Sequence, residues 1–227
     1  MKNNTIHNQV RKLLVTGAVI IIMGIFLSGP PLVFLIEYLL PQPNWIDVPT
    51  FVSHFHWLQT LPYWFGFILM VGNILFIAAI SKFGHLRESI LAPTALVCVA
   101  IYGALVSINY ALQTTFVPAA VLQKNQALAT FSMVNPGSVC WTLEMFGYAF
   151  LGIAYALVAP AFSGSRILRS IKYLMIFNGI VSVLGVFIPA IDPTLLLASG
   201  GLIGYTLWNV LIVVIMVLII IAYSSKR

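Results

Sequence analysis

The sequence predicts an all-α integral membrane protein, a bundle of six transmembrane helices with both chain ends in the cytoplasm. Hydrophobic residues make up 61% of the 227 residues and charged residues only 7%, whereas a soluble globular domain has about 25% charged residues. Several apolar runs follow one another, each long enough to cross a hydrocarbon core about 30 Å thick. A water-soluble fold is therefore excluded, and no room remains for a sizeable soluble domain.

Proline, glycine and charged residues bound the apolar runs and so place the spans. The predicted spans cover about residues 12–38, 58–80, 91–120, 139–162, 170–191 and 197–222 of a single membrane domain, 1–227. Each run is apolar on both alternating faces, whereas the strands of a membrane barrel alternate and are about ten residues long. Helices are therefore predicted throughout.

The amino-terminal stretch resembles a secretory signal, because basic residues precede the apolar run 13–28. No small-x-small site closes this run, and hydrophobicity resumes at once through 32–40. An uncleaved first span is therefore predicted.

Gly29-Pro30-Pro31 should break this helix, because proline removes a backbone donor and clashes with the preceding turn. Pro118 could likewise bend the outer end of the third span.

Lysine and arginine predict the orientation, because cytoplasmic loops carry an excess of both. With the amino terminus inside, all of the 11 basic residues except Lys124 fall on the cytoplasmic side. The predicted location is a cell membrane, specifically the plasma (inner) membrane. The basic residues are scattered singly at the ends of apolar runs, so the net charge of +6 does not indicate nucleic-acid binding.

The longest loop, 41–57, is external under this orientation, and its Trp45 and Trp57 suit the membrane interface. A cap lying on the membrane is one arrangement that this loop allows.

His54 and His56 in the loop resemble a metal pair by composition. Two histidines two residues apart point the same way only in an extended segment, and no third ligand has a recognisable spacing, so no metal is predicted.

Glu144 is the one clear ionisable residue inside a span, and such residues by default mark a function or a partner. It lies about 7 Å below the outer end of the fourth span. Gln113 of the third span reaches about the same depth and shares a helix face with Asn109, so a contact between Glu144 and one of these amides is predicted. Glu144 could bind a cation, a proton or the polar head of a ligand. Alternatively, a protonated Glu144 could hold two helices together, for about 1 kcal/mol.

Polar and aromatic side chains of four spans could line a shared cavity around Glu144. The candidate ligand-binding residues are Asn109, Tyr110, Gln113, Trp141, Glu144, Tyr148, Asn178, Tyr205, Trp208 and Asn209. Helix packing or interfacial anchoring accounts for any one of them taken alone. Glu37, near the outer end of the first span, could share the site or face water. Cys98 and Cys140 are interpreted as packing residues.

Several chemistries are excluded by missing residues. No histidine and no lysine lies deep within a span, which excludes a bis-histidine haem and a retinal-type Schiff base. The zinc, nucleotide and hydrolase motifs HExxH, GxxxxGK[ST], GxGxxG after a strand and GxSxG are also missing. No cofactor is predicted, and the only catalytic candidate is Glu144.

Three functions from different classes remain open. The first is binding or transport of a small solute or amphiphile in an outward-facing cavity centred on Glu144. The second is an enzyme on a lipid-like substrate, with Glu144 as general acid or base. The third is a structural or accessory subunit of a membrane complex. The expected partners are membrane lipids and a small-molecule or lipid-like ligand, with a homo-oligomer or a partner membrane subunit left open.

Overall fold

The computed structural model describes residues 2–224, without the side chains of 2–7, 84 and 85. Within this part of the chain the protein is helical and has no strand. It has six helical segments that are long and apolar enough to span a membrane: Asn8–Leu39, Trp57–Ile80, Leu91–Leu122, Val139–Ala161, Arg166–Ile191 and Ser199–Ser224. The predicted six-helix membrane architecture is confirmed to this extent. The Lys2 side chain, Lys226 and Arg227, which contribute to the charge count, lie outside the described part.

The α-helices of the described chain are numbered in chain order. They are α1 (Lys2–Ser28), α2 (Pro30–Leu39), α3 (Val48–His54), α4 (Leu61–Ile80), α5 (Leu91–Ala111), α6 (Val117–Leu122), α7 (Leu128–Phe131), α8 (Val139–Val158), α9 (Arg166–Gly185), α10 (Phe187–Ile191) and α11 (Ser199–Ser224). Short 3₁₀ helices cover Trp57–Thr60, Gly84–Glu88, Ala159–Ala161 and Pro193–Leu196, and a π-helical turn covers Leu112–Phe116.

The first span is broken at the predicted position. Helix α1 ends at Ser28 and α2 begins at Pro30, with Gly29 in an extended conformation between them. Two consecutive prolines cannot donate to the carbonyls one turn earlier, yet proline is well accommodated in the first turn of a new helix. The break therefore allows α2 to leave the axis of α1.

The third span is disturbed one turn before Pro118, by the π turn that joins α5 to α6. Pro118 has no N–H to donate to the carbonyl of Thr114. The hydroxyls of Thr114 and Thr115 bond to the carbonyl oxygens of Tyr110 and Ala111, at 2.7 and 2.6 Å. Such π turns often occur at functional sites, and this one begins two residues after Tyr110.

The six long helices form a closed ring. Helices α1, α4, α5, α8, α9 and α11 each pack against their neighbours in this order, and α11 packs back against α1. Both chain ends therefore lie on one face, where the Arg11 side chain donates to the Tyr223 carbonyl. We call this face the terminal face, and the opposite one, which holds α3, α6 and α7, the cap face.

Two seams of the ring depend on glycine. A Cβ atom on Gly24 of α1 would lie 2.6 Å from the Leu69 Cα of α4, and one on Gly152 of α8 would lie 2.5 Å from the Ser182 Cβ of α9. Small residues let helix backbones approach closely, which is how helices associate where lipid removes the hydrophobic driving force. These seams fix α1 against α4 and α8 against α9.

The half of the bundle near the terminal face has a continuous apolar interior. Its fully buried side chains include Leu14, Phe76, Ile80, Ile171 and Ile219.

A second apolar cluster on the cap face joins two loops. Its buried residues are Val48, Phe51, Val117, Ala120 and Leu128. The loop 41–57 therefore contributes α3 to a shared cap layer.

Candidate functional site

The Glu144 carboxylate accepts hydrogen bonds from two residues of the neighbouring helix α5. Asn109 Nδ2 donates to Glu144 Oε2 at 2.7 Å, and the Tyr110 hydroxyl donates to Oε1 at 3.2 Å. Asn109 is fully buried, whereas Glu144 is half-buried. The predicted contact between Glu144 and an amide of the third span is confirmed, and the amide is that of Asn109.

Aromatic rings pack around Tyr110, one of the two donors to this carboxylate. The Tyr110 hydroxyl also lies 3.3 Å from the Tyr148 hydroxyl, and the Tyr110 ring packs against Tyr63 and Phe67 of α4, at centroid distances of 5.9 and 5.8 Å. The Tyr63 and Tyr205 hydroxyls lie within electrostatic range of Glu144. Helices α4, α5, α8 and α11 therefore all contribute to its surroundings.

Gln113 and Trp141 hold a loop over the site. We call residues 123–138 the Met133 loop. Gln113 donates to the Phe131 carbonyl at 2.7 Å and accepts from the Met133 N–H at 3.1 Å, and the Trp141 indole donates to the Met133 carbonyl at 2.8 Å. The Met133 sulfur in turn lies 3.0 Å from Asn109 Nδ2. The polar atoms of the Gln113 amide and the Trp141 indole are thus occupied by hydrogen bonds within the protein.

Trp208 forms a wall of the same region from α11. Its ring packs edge-on against Tyr148, with centroids 5.0 Å apart, and its indole donates to the Ser182 hydroxyl at 3.0 Å. On the other side of Tyr148, the Tyr102 ring packs at 5.3 Å. Tyr148 is therefore held between two aromatic rings below the carboxylate.

Two predicted amides do not join the Glu144 network. Asn209 donates to the carbonyl of Tyr205 in its own helix, at 2.8 Å. Asn178 is fully buried on α9, and neither atom of its amide has a hydrogen-bond partner. Tyr205 itself is 38% exposed. The predicted set thus divides into a bonded network, two loop-holding residues and amides on α9 and α11.

A second polar contact crosses the centre of the bundle and was not predicted. The Tyr155 hydroxyl of α8 donates to Asn73 Oδ1 of α4 at 2.7 Å. The buried Tyr102 hydroxyl lies near both Asn73 and Tyr148. Tyr102 shares a face of α5 with Asn109 and could have been found from that spacing. The Met133 loop has no comparable signal in the sequence.

The remaining candidates have local roles. Glu37 is exposed on α2 and accepts from the Gln42 N–H at 3.2 Å, so it bonds to its own loop and not to the Glu144 network. His54 Nδ1 lies 2.9 Å from the Thr50 carbonyl, and His56 Nδ1 accepts from the Leu58 N–H at 3.2 Å. Cys98 and Cys140 are buried free thiols.

Outside the spans, two aspartates begin helical turns. Asp47 accepts from the Thr50 N–H at 2.8 Å, and Asp192 accepts from the Thr194 N–H at 2.9 Å. Because hydrogen bonds to a carboxylate favour its charged form, the bonds from the side chains of Thr50 and Thr194, and then those from their N–H groups, lower the pKa of Asp47 and Asp192. These carboxylates therefore serve as local helix caps.

Comparison with known proteins does not indicate a function for this site. No family model, no curated protein and no solved structure matches the chain. The function must therefore be argued from the site alone.

A shallow groove lies between α2 and α11 in the half of the bundle near the cap face. It has a volume of about 260 Å³. Its lining residues are Phe34, Leu202, Ile203, Thr206 and Leu207. Thr206 is adjacent in sequence to Tyr205, which lies within electrostatic range of Glu144. An apolar surface thus lies next to a polar and aromatic one.

Proposed function

We propose that the protein binds or transports a small solute or amphiphile whose polar group contacts Glu144. The observation that carries this proposal is a half-buried carboxylate with acceptor capacity to spare. An ionised carboxylate has about four lone-pair sites, and Asn109 and Tyr110 take up two hydrogen bonds. The donors that would complete this shell come from the ligand.

The orientation follows from the basic residues. We propose that the protein lies in the plasma membrane with its terminal face in the cytoplasm and its cap face outside. All basic residues except Lys124 fall in the segments assigned to the terminal face, and cytoplasmic segments carry an excess of lysine and arginine. The ligand then approaches Glu144 from the outside or from the outer half of the bilayer. The apolar interior near the terminal face closes the other side of the bundle.

The groove between α2 and α11 supports a lateral route for an amphiphile. Its apolar lining suits an alkyl chain, and its Thr206 follows Tyr205, whose hydroxyl interacts electrostatically with Glu144. Helix α2 is separated from α1 by the Gly29–Pro30 break, which supplies a hinge beside this groove. The tail of the ligand lies in the groove while its head contacts the carboxylate.

An enzyme acting on a lipid-like substrate is the second candidate. One observation favours it. The Tyr148 hydroxyl, the Tyr110 hydroxyl and the Glu144 carboxylate form a chain of hydrogen bonds, and such a chain could carry protons to a general acid or base. Binding remains preferred because the described hydrogen-bond partners of Glu144 are an amide and a phenol, neither of which is an activated nucleophile. An accessory subunit would need only hydrogen bonds between helices, whereas the bonds of Glu144 to Asn109 and Tyr110 leave acceptor capacity unused.

The test uses three amphiphiles that share one alkyl chain: decanol, decyltrimethylammonium and decanoate. Their binding to the protein in phosphatidylcholine nanodiscs is measured by Trp fluorescence, with empty nanodiscs subtracted. We expect at least one to bind, and Glu144→Gln to weaken that binding about tenfold or more. Glu37→Gln makes the same chemical change at an exposed carboxylate and should have no effect. Equal binding to both variants, or no binding at all, would overturn the proposal.

A further inference from the structure

The charge around Glu144 is unbalanced. It is the only charged residue in the four segments Trp57–Ile80, Leu91–Leu122, Val139–Ala161 and Ser199–Ser224. Among the described residues, its hydrogen-bond donors Asn109 and Tyr110 are both neutral. A charge in a medium of low polarity is costly unless it is paired or neutralised. The site therefore requires a positive charge from outside the chain.

The surrounding groups suit an organic cation better than a metal ion. Calcium and magnesium need about six or more oxygen ligands, whereas Asn109 turns its N–H, and not its oxygen, towards Glu144. The rings of Tyr63, Tyr110 and Phe67 lie at different inclinations, with interplanar angles of 55° and 85° to Tyr110. Cages of aromatic rings recognise quaternary ammonium groups, and these three rings pack together at the Tyr110 donor of Glu144.

We infer that the ligand of the Glu144 site is an organic cation, an ammonium-bearing amphiphile, that exchanges with a proton on the Glu144 carboxylate. This inference rests on the proposed function and names its ligand class. On binding, the cation replaces the proton, which leaves to bulk water, so that the net charge of the site is conserved. In the empty site the proton supplies the neutralisation that the ligand otherwise provides.

The exchange makes cation binding depend on pH through Glu144 alone. The other titratable groups that face it are Tyr63 of α4, Tyr102 and Tyr110 of α5, Cys140 and Tyr148 of α8, and Tyr205 of α11. These phenols and the thiol carry no charge in their ordinary protonated forms. Lowering the pH protonates the carboxylate and should therefore weaken cation binding but leave a neutral ligand unaffected.

The test of the ligand class compares amphiphiles that share the decyl chain and differ in the charge of the head group. In the nanodisc assay, decyltrimethylammonium should bind about tenfold or more tightly than decanol and decanoate. This preference should persist in Glu37→Gln and disappear in Glu144→Gln. Between about pH 7 and pH 4, across the ordinary pKa range of a glutamate, the affinity for the cation should fall in the wild type and not in Glu144→Gln. Binding of the cation that does not change with pH would refute the proton exchange.

A second pair of variants covers the case in which Glu144→Gln fails to fold. Tyr205→Leu removes a half-exposed ring near the carboxylate, whereas Tyr38→Leu removes a ring that is 84% exposed on α2. We expect only the former to weaken binding of the cation severalfold. If decanol or decanoate binds as tightly as the cation in a Glu144-dependent manner, the ligand class is wrong and the proposed function stands. If no amphiphile shows Glu144-dependent binding, both fail.

Discussion

At the scale of single residues, the buried amides of the bundle differ in whether their hydrogen bonds are satisfied. Asn73 donates to the Leu69 carbonyl and accepts from the Tyr155 hydroxyl, so both ends of its amide are used. Asn178 is equally buried, and neither end is used. An unsatisfied buried polar group costs about 1–3 kcal/mol, whereas a satisfied one stabilises modestly. The two residues should therefore respond in opposite ways to the same substitution.

We expect Asn73→Leu to destabilise the protein by about 1–3 kcal/mol, because it leaves the Tyr155 hydroxyl without its acceptor. Asn178→Leu removes an amide that has no partner and should leave the stability unchanged or raise it by about 1 kcal/mol. Thermal unfolding of both variants in one detergent checks this. A large loss of stability in Asn178→Leu would show that this amide has a partner after all.

The residue types of the candidate site could be predicted from the sequence, but their grouping could not. Glu144 stands out because a carboxylate inside a span is expensive, and helix periodicity together with similar depth indicated Gln113 or Asn109 as its partner. The roles of Gln113 and Trp141 depend on the Met133 loop, whose irregular path follows no periodicity. Asn209 bonds within its own helix, an option that spacing alone does not distinguish from a contact across the bundle.

At the scale of helices, breaks and close contacts decide the shape of the bundle. The α1–α2 break could be predicted from Gly29-Pro30-Pro31, because the chemistry of proline acts locally. The π turn after α5 was anticipated only as a disturbance near Pro118, since its exact position depends on which carbonyls the threonine hydroxyls occupy. Glycine contacts such as that of Gly24 with Leu69 require knowledge of which helices are neighbours.

Substitutions of two glycines should separate packing from helix propensity. Gly24→Ala places a Cβ 2.6 Å from the Leu69 Cα and forces α1 and α4 apart, at a cost of about 1–3 kcal/mol. A Cβ at Gly204 of α11 meets nothing within 4 Å. Gly204→Ala should therefore stabilise the helix by about 0.5–1 kcal/mol. Thermal unfolding measures both, and a similar effect of the two changes would contradict the described α1–α4 contact.

At the scale of the whole molecule, the ring of sequential neighbours explains why the sequence predicted the spans well. Each helix is long and apolar, and helices that follow one another in the chain usually pack as neighbours, so this ring follows from elementary rules. The sequence allowed a cap formed by the loop 41–57, but it could not predict that α3 packs against α6 and α7 through residues such as Phe51 and Leu128. That contact joins segments far apart in the chain.

The proposed orientation predicts which face of the molecule reagents reach. Single cysteines are introduced at Gln123 on the cap face and at Lys82 on the terminal face, both exposed positions, in a variant with Cys98→Ala and Cys140→Ala. A membrane-impermeant maleimide applied to intact cells should label the cysteine at position 123 only. The cysteine at position 82 should react after the membrane is opened. The reverse pattern would invert the orientation.

The central claim is that Glu144 is an accessible ligand site, and reaction with a hydrophobic carbodiimide tests it most directly. This reagent enters the lipid phase and modifies protonated carboxyl groups in apolar surroundings, so peptide mass spectrometry should find it on Glu144 and not on Glu37, which is exposed at the end of α2. At least one of decyltrimethylammonium, decanol and decanoate should protect Glu144 from modification. Failure of Glu144 to react, or modification that none of these amphiphiles reduces, would contradict the account.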